Sequence, residues 1–239
     1  DSKKKKFFAS RDRFGEKPLY YGWMNKTFLF ASELKALRKY PGWQGEIDRN
    51  VLALFLRYNC IPAPYSIYKN IFKLLPGTFI SVKQEDITKN TTFPITPNHY
   101  WSAREIAEAG ASEPLDHTEE ETINQLDAHL RNAIKGQMIA DVSLGAFLSG
   151  GVDSSTVVAL MQAQSTQRVK TFTIGFEEEA YNEAHDAKAV AKHLGTDHTE
   201  LYVTPQEAMS VIPNLPSLYD EPFSDSSQIP THLISKLAR

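Results

Sequence analysis

Apolar and polar positions alternate differently in the two parts of the chain. Phe7–Ser10, Leu19–Trp23 and Phe28–Ala31 are short aromatic-rich runs separated by Gly15, Pro18 and Asn25, the pattern of strands. Met24, Asn25 and Lys26 predict a hairpin turn between the last two. A short helix is expected over Ser32–Arg38, stopped by Pro41 and Gly42. Asp48 can cap a second helix over Val51–Tyr58, with Leu52, Phe55 and Leu56 as its apolar stripe and Pro62 beyond its end. Thr78–Val82 reads as a further strand after the Pro76–Gly77 turn. Residues 84–117 have weak periodicity and read as a linker or surface excursion, with a domain boundary near 101–118.

Helix and strand then alternate. Thr118 and Glu121 form a capping box that opens a helix with Ile123, Leu126, Leu130, Ala133, Ile134 and Met138 on one face. Val142–Leu148 reads as a strand, Ser155–Gln164 as a helix and Val169–Phe176 as a buried strand. Glu183–Leu194 is a helix closed by Gly195, His198–Val203 a strand, and Thr204 with Pro205 and Glu207 opens another helix. This order predicts an α/β fold with a parallel sheet covered on both faces, preceded by a β-rich portion.

Composition sharpens the division. The chain has 239 residues, 41% of them hydrophobic, and a net charge of −3. Residues 1–101 carry 17 basic and 8 acidic side chains, a net of +9, whereas residues 102–239 carry 9 and 21, a net of −12. Such a split suggests two units with different tasks, or a basic amino end beside a solvated acidic surface. Neither the balance nor the pattern asks for a nucleic-acid partner. One cysteine, Cys60, excludes an internal disulfide framework and a multi-cysteine zinc site, and fits a cytoplasmic setting. No apolar run reaches the roughly 20 residues of a membrane span. The chain opens on Asp1 rather than Met and stops within a helical pattern at Arg239, so it is expected to be a piece of a longer protein.

The chemistry concentrates at Leu148-Ser149-Gly150-Gly151-Val152-Asp153-Ser154-Ser155, where a buried strand gives way to a helix. Ligands of open parallel sheets bind at the carboxyl ends of strands. Gly150 and Gly151 permit a tight turn and close approach, Ser149, Ser154 and Ser155 add hydroxyls, and the helix start favours an anion. The sequence is neither a Walker A loop nor a Gly-x-Gly-x-x-Gly turn. Asp153 beside an anion cradle calls for a bridging cation, and Mg²⁺ on a polyphosphate satisfies both. The plainer alternative is a strand–turn–helix whose Asp or Ser serves only as a cap.

SGGVDSS resembles the pyrophosphate loop of the N-type ATP pyrophosphatases, which split ATP into AMP and pyrophosphate. Within that group the chain resembles glutamine-hydrolysing asparagine synthetases. The likeness rests on Arg11–Gly22, Phe30–Leu37, Leu75–Thr78 with Tyr100 and Trp101, then Thr171–Phe176, Leu194–His198 and Tyr219–Ser227, in that order. It implies the end of a glutaminase-like domain over 1–101, a linker over 102–118, and the first part of a synthetase domain over 119–239. It further implies that Ser149, Gly150, Gly151, Ser154 and Ser155 hold pyrophosphate, that Asp153 binds Mg²⁺, and that Phe147, Leu148 and Ile174 border the nucleotide of ATP. The implied activity is that of a carbon–nitrogen ligase: aspartate is activated as an acyl-adenylate and opened by ammonia from glutamine. A homodimer is implied for the full-length form, with small-molecule partners and no nucleic acid or membrane.

The family's amino-terminal nucleophilic Cys and its second Gly-rich acidic loop have no counterpart in the 239 residues, so this stretch by itself is expected to be inactive. Cys60, at an apolar helix end, reads as structural. Asp220, Glu221 and Asp225 read either as an acidic wall of the aspartate or metal region or as loop solvation, with Asp225 capping a helix near 228–237. His185, His193 and His198 lack metal-ligand spacing, His198 reads as structural, and Glu177–Glu179 as a solvated loop. A relative acting on a sugar acid or peptide carboxylate, another pyrophosphate-loop enzyme, and a non-catalytic nucleotide-binding fragment are the alternatives.

Overall fold

The computed structural model describes residues 1–88, 95–176 and 183–239. Glu177–Glu179 lie outside the described residues. The chain divides into two compact units, Asp1–Leu115 with Leu215–Asp225, and Asp116–Asn214 with Ser226–Arg239.

In the first unit β1 (Lys6–Ser10) pairs antiparallel with β5 (Thr78–Lys83), which also carries β6 (Asn98–His99). A second antiparallel sheet has β2 (Tyr20–Met24) between β3 (Thr27–Ala31) and β4 (Ile71–Lys73). Asn25 and Lys26 both take positive φ, the twist-compatible turn that lets Met24 pair with Thr27. Every residue of β2 is buried, because both its faces are covered. Tyr20 and Met24 join Leu34, Leu37 and Ile71 in one cluster, while Tyr21, on the opposite face, joins Leu74 and Ile80 of the other sheet's side. Gly22 is required where β2 meets β4, since a Cβ there would stand 2.0 Å from the Asn70 carbonyl oxygen.

The helix expected over Ser32–Arg38 is shorter, α1 (Leu34–Leu37), with both leucines buried. α2 (Arg49–Tyr58) is capped by Asp48, which accepts from the Asn50 amide. Its expected stripe is only half right: Val51 is the buried residue and Leu56 is 80% exposed. The stretch read as a linker contains α3 (Gln84–Thr88) and α4 (Ala103–Ser112), the latter capped by Ser102 and exposed throughout, which explains its weak periodicity.

In the second unit α5 (Glu119–Gln137) begins with the expected Thr118–Glu121 capping box. Its apolar face is incompletely covered: Ile123 and Leu126 stay exposed and no residue is fully buried. β7 covers only Gly145–Phe147, shorter than the expected Val142–Leu148, and Val142 is exposed. α6 (Val152–Gln164) starts three residues before Ser155, immediately after the double glycine. β8 (Lys170–Phe176), α7 (Ala184–Leu194), β9 (Asp197–Val203) and α8 (Pro205–Val211) follow the expected order. The sheet is parallel, in the order β7-β8-β9. α7 packs on β8 and β9, and Leu148, Val158, Ala187 and Ala191 form the core between loop, α6 and α7.

A 3-10 turn, Ile212–Asn214, leads to α9 (Leu215–Leu218), and α10 (Gln228–Ala238) returns to pack on β8. Ser227 stands at the N-cap of α10 in helical backbone geometry, and its side chain makes no cap bond. Among the described residues no helix is long and apolar enough to cross a membrane.

Candidate functional site

Thr173 holds the end of β7 in place. Its hydroxyl donates to the Leu148 carbonyl, and the Leu148 amide donates to the Phe172 carbonyl at 2.9 Å. Leu148 is buried, so the strand is fixed to its last residue before the chain turns at Ser149 and Gly150. Gly150 has a φ of +82° and lies against the first turn of α7: a Cβ there would come within 2.8 Å of the Ala187 nitrogen and the Asp186 Cβ. Both the backbone conformation and the space therefore demand glycine.

Serine hydroxyls tie the turn together. The Ser149 amide donates to Ser154 Oγ at 3.2 Å, and the Ser149 and Ser154 hydroxyls lie 2.9 Å apart. The Gly151 amide donates to Ser149 Oγ at 3.3 Å, and Ser154 Oγ donates to the Gly151 carbonyl at 3.2 Å. Gly151 is the N-cap of α6 and has no side chain to cap it. The amides of Val152, Asp153 and Ser154 thus open the helix with no intrahelical acceptor, and the macrodipole adds partial positive charge there. Ser155 Oγ is a buried hydroxyl without a hydrogen-bond partner among the described residues. Asp153, in the first turn, is exposed. The turn therefore gathers helix-opening amides, the Ser149 and Ser154 hydroxyls and one accessible carboxylate, Asp153.

Phe147 and Ile174 occupy the adjoining strands. Phe147 pairs with Phe172, and Ile174 follows two residues on, so all three lie on one face of the sheet. Phe147 is 49% exposed and Ile174 half-buried. The fold brings Phe147, Leu148, Ser149, Gly150, Gly151, Asp153, Ser154, Ser155 and Ile174 to the carboxyl ends of two neighbouring parallel strands. Sequence reading missed Thr173, Asp186 and Ala187, which support the loop from β8 and α7. The signal was the spacing of Ala184, Ala187 and Ala191, all buried, which lets α7 approach closely.

His198 sits where β9 begins, its Nδ1 2.9 Å from the Thr171 hydroxyl, which also contacts the Thr196 hydroxyl at 2.9 Å. Burial holds its imidazole below the ordinary histidine range, with Lys188 adding to and Glu200 opposing the shift. Thr171 is near the amino end of β8, away from the loop end. His185 and Asp186 are both exposed and 3.8 Å apart. Among the described residues no group of three His, Cys, Asp or Glu side chains could hold a metal ion. Cys60 is exposed beyond the left-handed Asn59 that ends α2, a correction to its expected place within an apolar helix end. Asp220 and Glu221 are engaged by donors of the first unit, described below.

The chain thus holds a parallel α/β unit with a glycine–serine turn and a β-rich unit. Residues 125–239 match the family model for asparagine synthase, and residues 1–100 match that for a glutamine amidotransferase domain. The chain is 36% identical over its whole length to a putative glutamine-hydrolysing asparagine synthetase 2 of Methanocaldococcus jannaschii, covering 44% of that protein. It is 29% identical to glutamine-hydrolysing asparagine synthetase 1 of Bacillus subtilis, over 97% of the chain and 34% of the relative. A probable asparagine synthetase of Dictyostelium discoideum is 27% identical over 90% of the chain. The chain belongs to the glutamine-hydrolysing asparagine synthetase family. It spans less than half the length of these relatives.

Proposed function

We propose that the protein works in ATP-dependent amide formation: glutamine, aspartate and ATP give asparagine, glutamate, AMP and pyrophosphate. On this reading Asp1–Leu115 is part of a glutaminase-type domain and the parallel-sheet unit is part of the synthetase, in keeping with the family models that match each stretch. The observation that carries the reading is the Leu148–Ser155 turn, with its buried unpaired Ser155 hydroxyl and helix-opening amides.

The substrate carboxylate oxygen attacks the α-phosphorus of ATP, and pyrophosphate leaves with the electron pair of the broken P–O bond. The amides of Val152, Asp153 and Ser154, with the serine hydroxyls, would donate to the departing pyrophosphate as its charge grows. Gly150 lets the backbone come close enough to do so. Asp153 would hold Mg²⁺, which neutralises charge on the phosphates when bound. Phe147 and Ile174 would flank the adenine with apolar surface and strand-end backbone. Ammonia released from glutamine then attacks the acyl carbon, and AMP leaves.

Pyrophosphate release by the full-length protein, measured with glutamine and a panel of carboxylates, tests this. Release with aspartate is expected; release only with a sugar acid or peptide would move the protein to another acceptor, and no release with any would overturn the reading.

A further inference from the structure

Asp220 and Glu221 are not used by the cradle, yet all four of their carboxylate oxygens are engaged. Asp220 Oδ2 accepts the Leu34 amide at 2.6 Å and Oδ1 the Lys35 amide at 3.0 Å. The Lys35 ammonium returns a bond to the Leu218 carbonyl at 3.0 Å. Glu221 Oε1 accepts the Ile67 amide at 2.7 Å. Its Oε2 pairs with the Lys73 ammonium and takes the Tyr20 hydroxyl at 3.5 Å. The Ser224 amide donates to the Asn59 carbonyl at 2.7 Å. The Glu221 side chain is 9% exposed and that of Lys73 16%. Burial, and then the charges of Glu221 and Asp220, push the Tyr20 hydroxyl well above the usual phenol range. A solvated acidic loop would not be held this way, and an open ligand wall would leave oxygens free.

The placement in the chain gives these bonds meaning. Leu215–Asp225 belongs to the first unit, although the chain on either side belongs to the second. Immediately after it comes α10, which packs on β8, the strand that carries Thr173 and Ile174.

We propose that Asp220 and Glu221 are positioning residues that lock Leu215–Asp225 onto the first unit and, through α10 and β8, couple glutamine use to amide formation. This rests on the proposed function. The coupling is carried by a covalently continuous, packed path rather than by contact with a substrate.

The test compares wild-type and Glu221→Gln full-length protein with glutamine or ammonium as nitrogen source, alongside hydrogen exchange at the Leu34, Lys35 and Ile67 amides. The variant keeps the side chain's shape and removes its charge towards Lys73. Glutamine-dependent synthesis is expected to fall about tenfold, within the range for disrupted coupling, while ammonium-dependent synthesis stays within about twofold. Glutamine hydrolysed per amide formed should rise, and the Ile67 amide should exchange faster. Equal loss with both nitrogen sources, or no change in their ratio, would overturn the proposal. If Glu221→Gln does not fold, Lys73→Gln removes the same ion pair from the other side and carries the same test. Absence of amide formation by the wild type from either source would overturn the functional reading instead; hydrogen exchange would then still decide whether the two carboxylates lock the segment.

Discussion

Asp220 caps the helix that Leu34 begins, across 186 positions of sequence. Glu33 occupies the N-cap but makes no side-chain cap bond, so α1 takes its capping oxygens from a distant segment. That exchange ties a four-residue helix, too short to persist alone, to the core through buried Leu34 and Leu37.

Asp220→Ala should therefore destabilise the protein by about 1–2 kcal/mol, the usual cost of a lost cap. Glu33→Ala should cost less than about 0.5 kcal/mol, as a surface change does. Urea titration of both variants checks the contrast; equal effects would contradict it.

Gly150→Ala forces a Cβ against Ala187 and a disfavoured φ onto alanine, so the turn must shift. Gly195→Ala meets a positive φ but open space. Both are expected to lose about 1 kcal/mol or more for the backbone, but only Gly150→Ala should abolish ATP binding. Calorimetric titration with Mg-ATP separates them.

Asp153 is exposed, so Asp153→Ala should leave stability within about 0.5 kcal/mol of wild type, as surface changes do. Its effect should fall on ATP binding with Mg²⁺ present, weakening it, while binding in the presence of a chelator stays as it was. Equal Mg²⁺ enhancement in variant and wild type would remove Asp153 from the cation.

His198 sets a pH dependence of stability. Its folded pKa lies below the ordinary 6.5, so the unfolded chain takes up the proton first. Stability from the neutral imidazole is complete above that value and declines as pH falls below 6.5 towards the folded pKa. Glu200, held below its ordinary 4.5 chiefly by its bond to Lys188, adds a separate loss in the carboxylate range. Denaturation at several pH values should show a decline in stability beginning below about pH 6.5 that flattens in His198→Gln.

Local signals carried most of the elements. Asn25 and Lys26 announced the hairpin, Thr118 with Glu121 and Thr204 with Glu207 announced helix starts, and Gly195 a helix end, because each acts within four residues of chain. The turn from β7 into α6 was legible for the same reason: strand, double glycine, serines and helix are contiguous. What could not be read depends on distant chain. The Leu34–Asp220 cap, the Lys73–Glu221 pair and the approach of Ala187 to Gly150 join residues separated by a whole unit or element. Periodicity also overstated burial: Ile123, Leu126 and Val142 follow an apolar pattern yet are exposed. The pattern records which face is apolar, not what covers it.

The acyl-adenylate reading is tested most directly by oxygen-18. The full-length protein would be given aspartate labelled in its side-chain carboxylate, with Mg-ATP and glutamine. Attack of that carboxylate on the α-phosphorus predicts pyrophosphate and asparagine in equal amounts, with one labelled oxygen in each AMP formed. Unlabelled AMP, or ADP and phosphate as products, would contradict it.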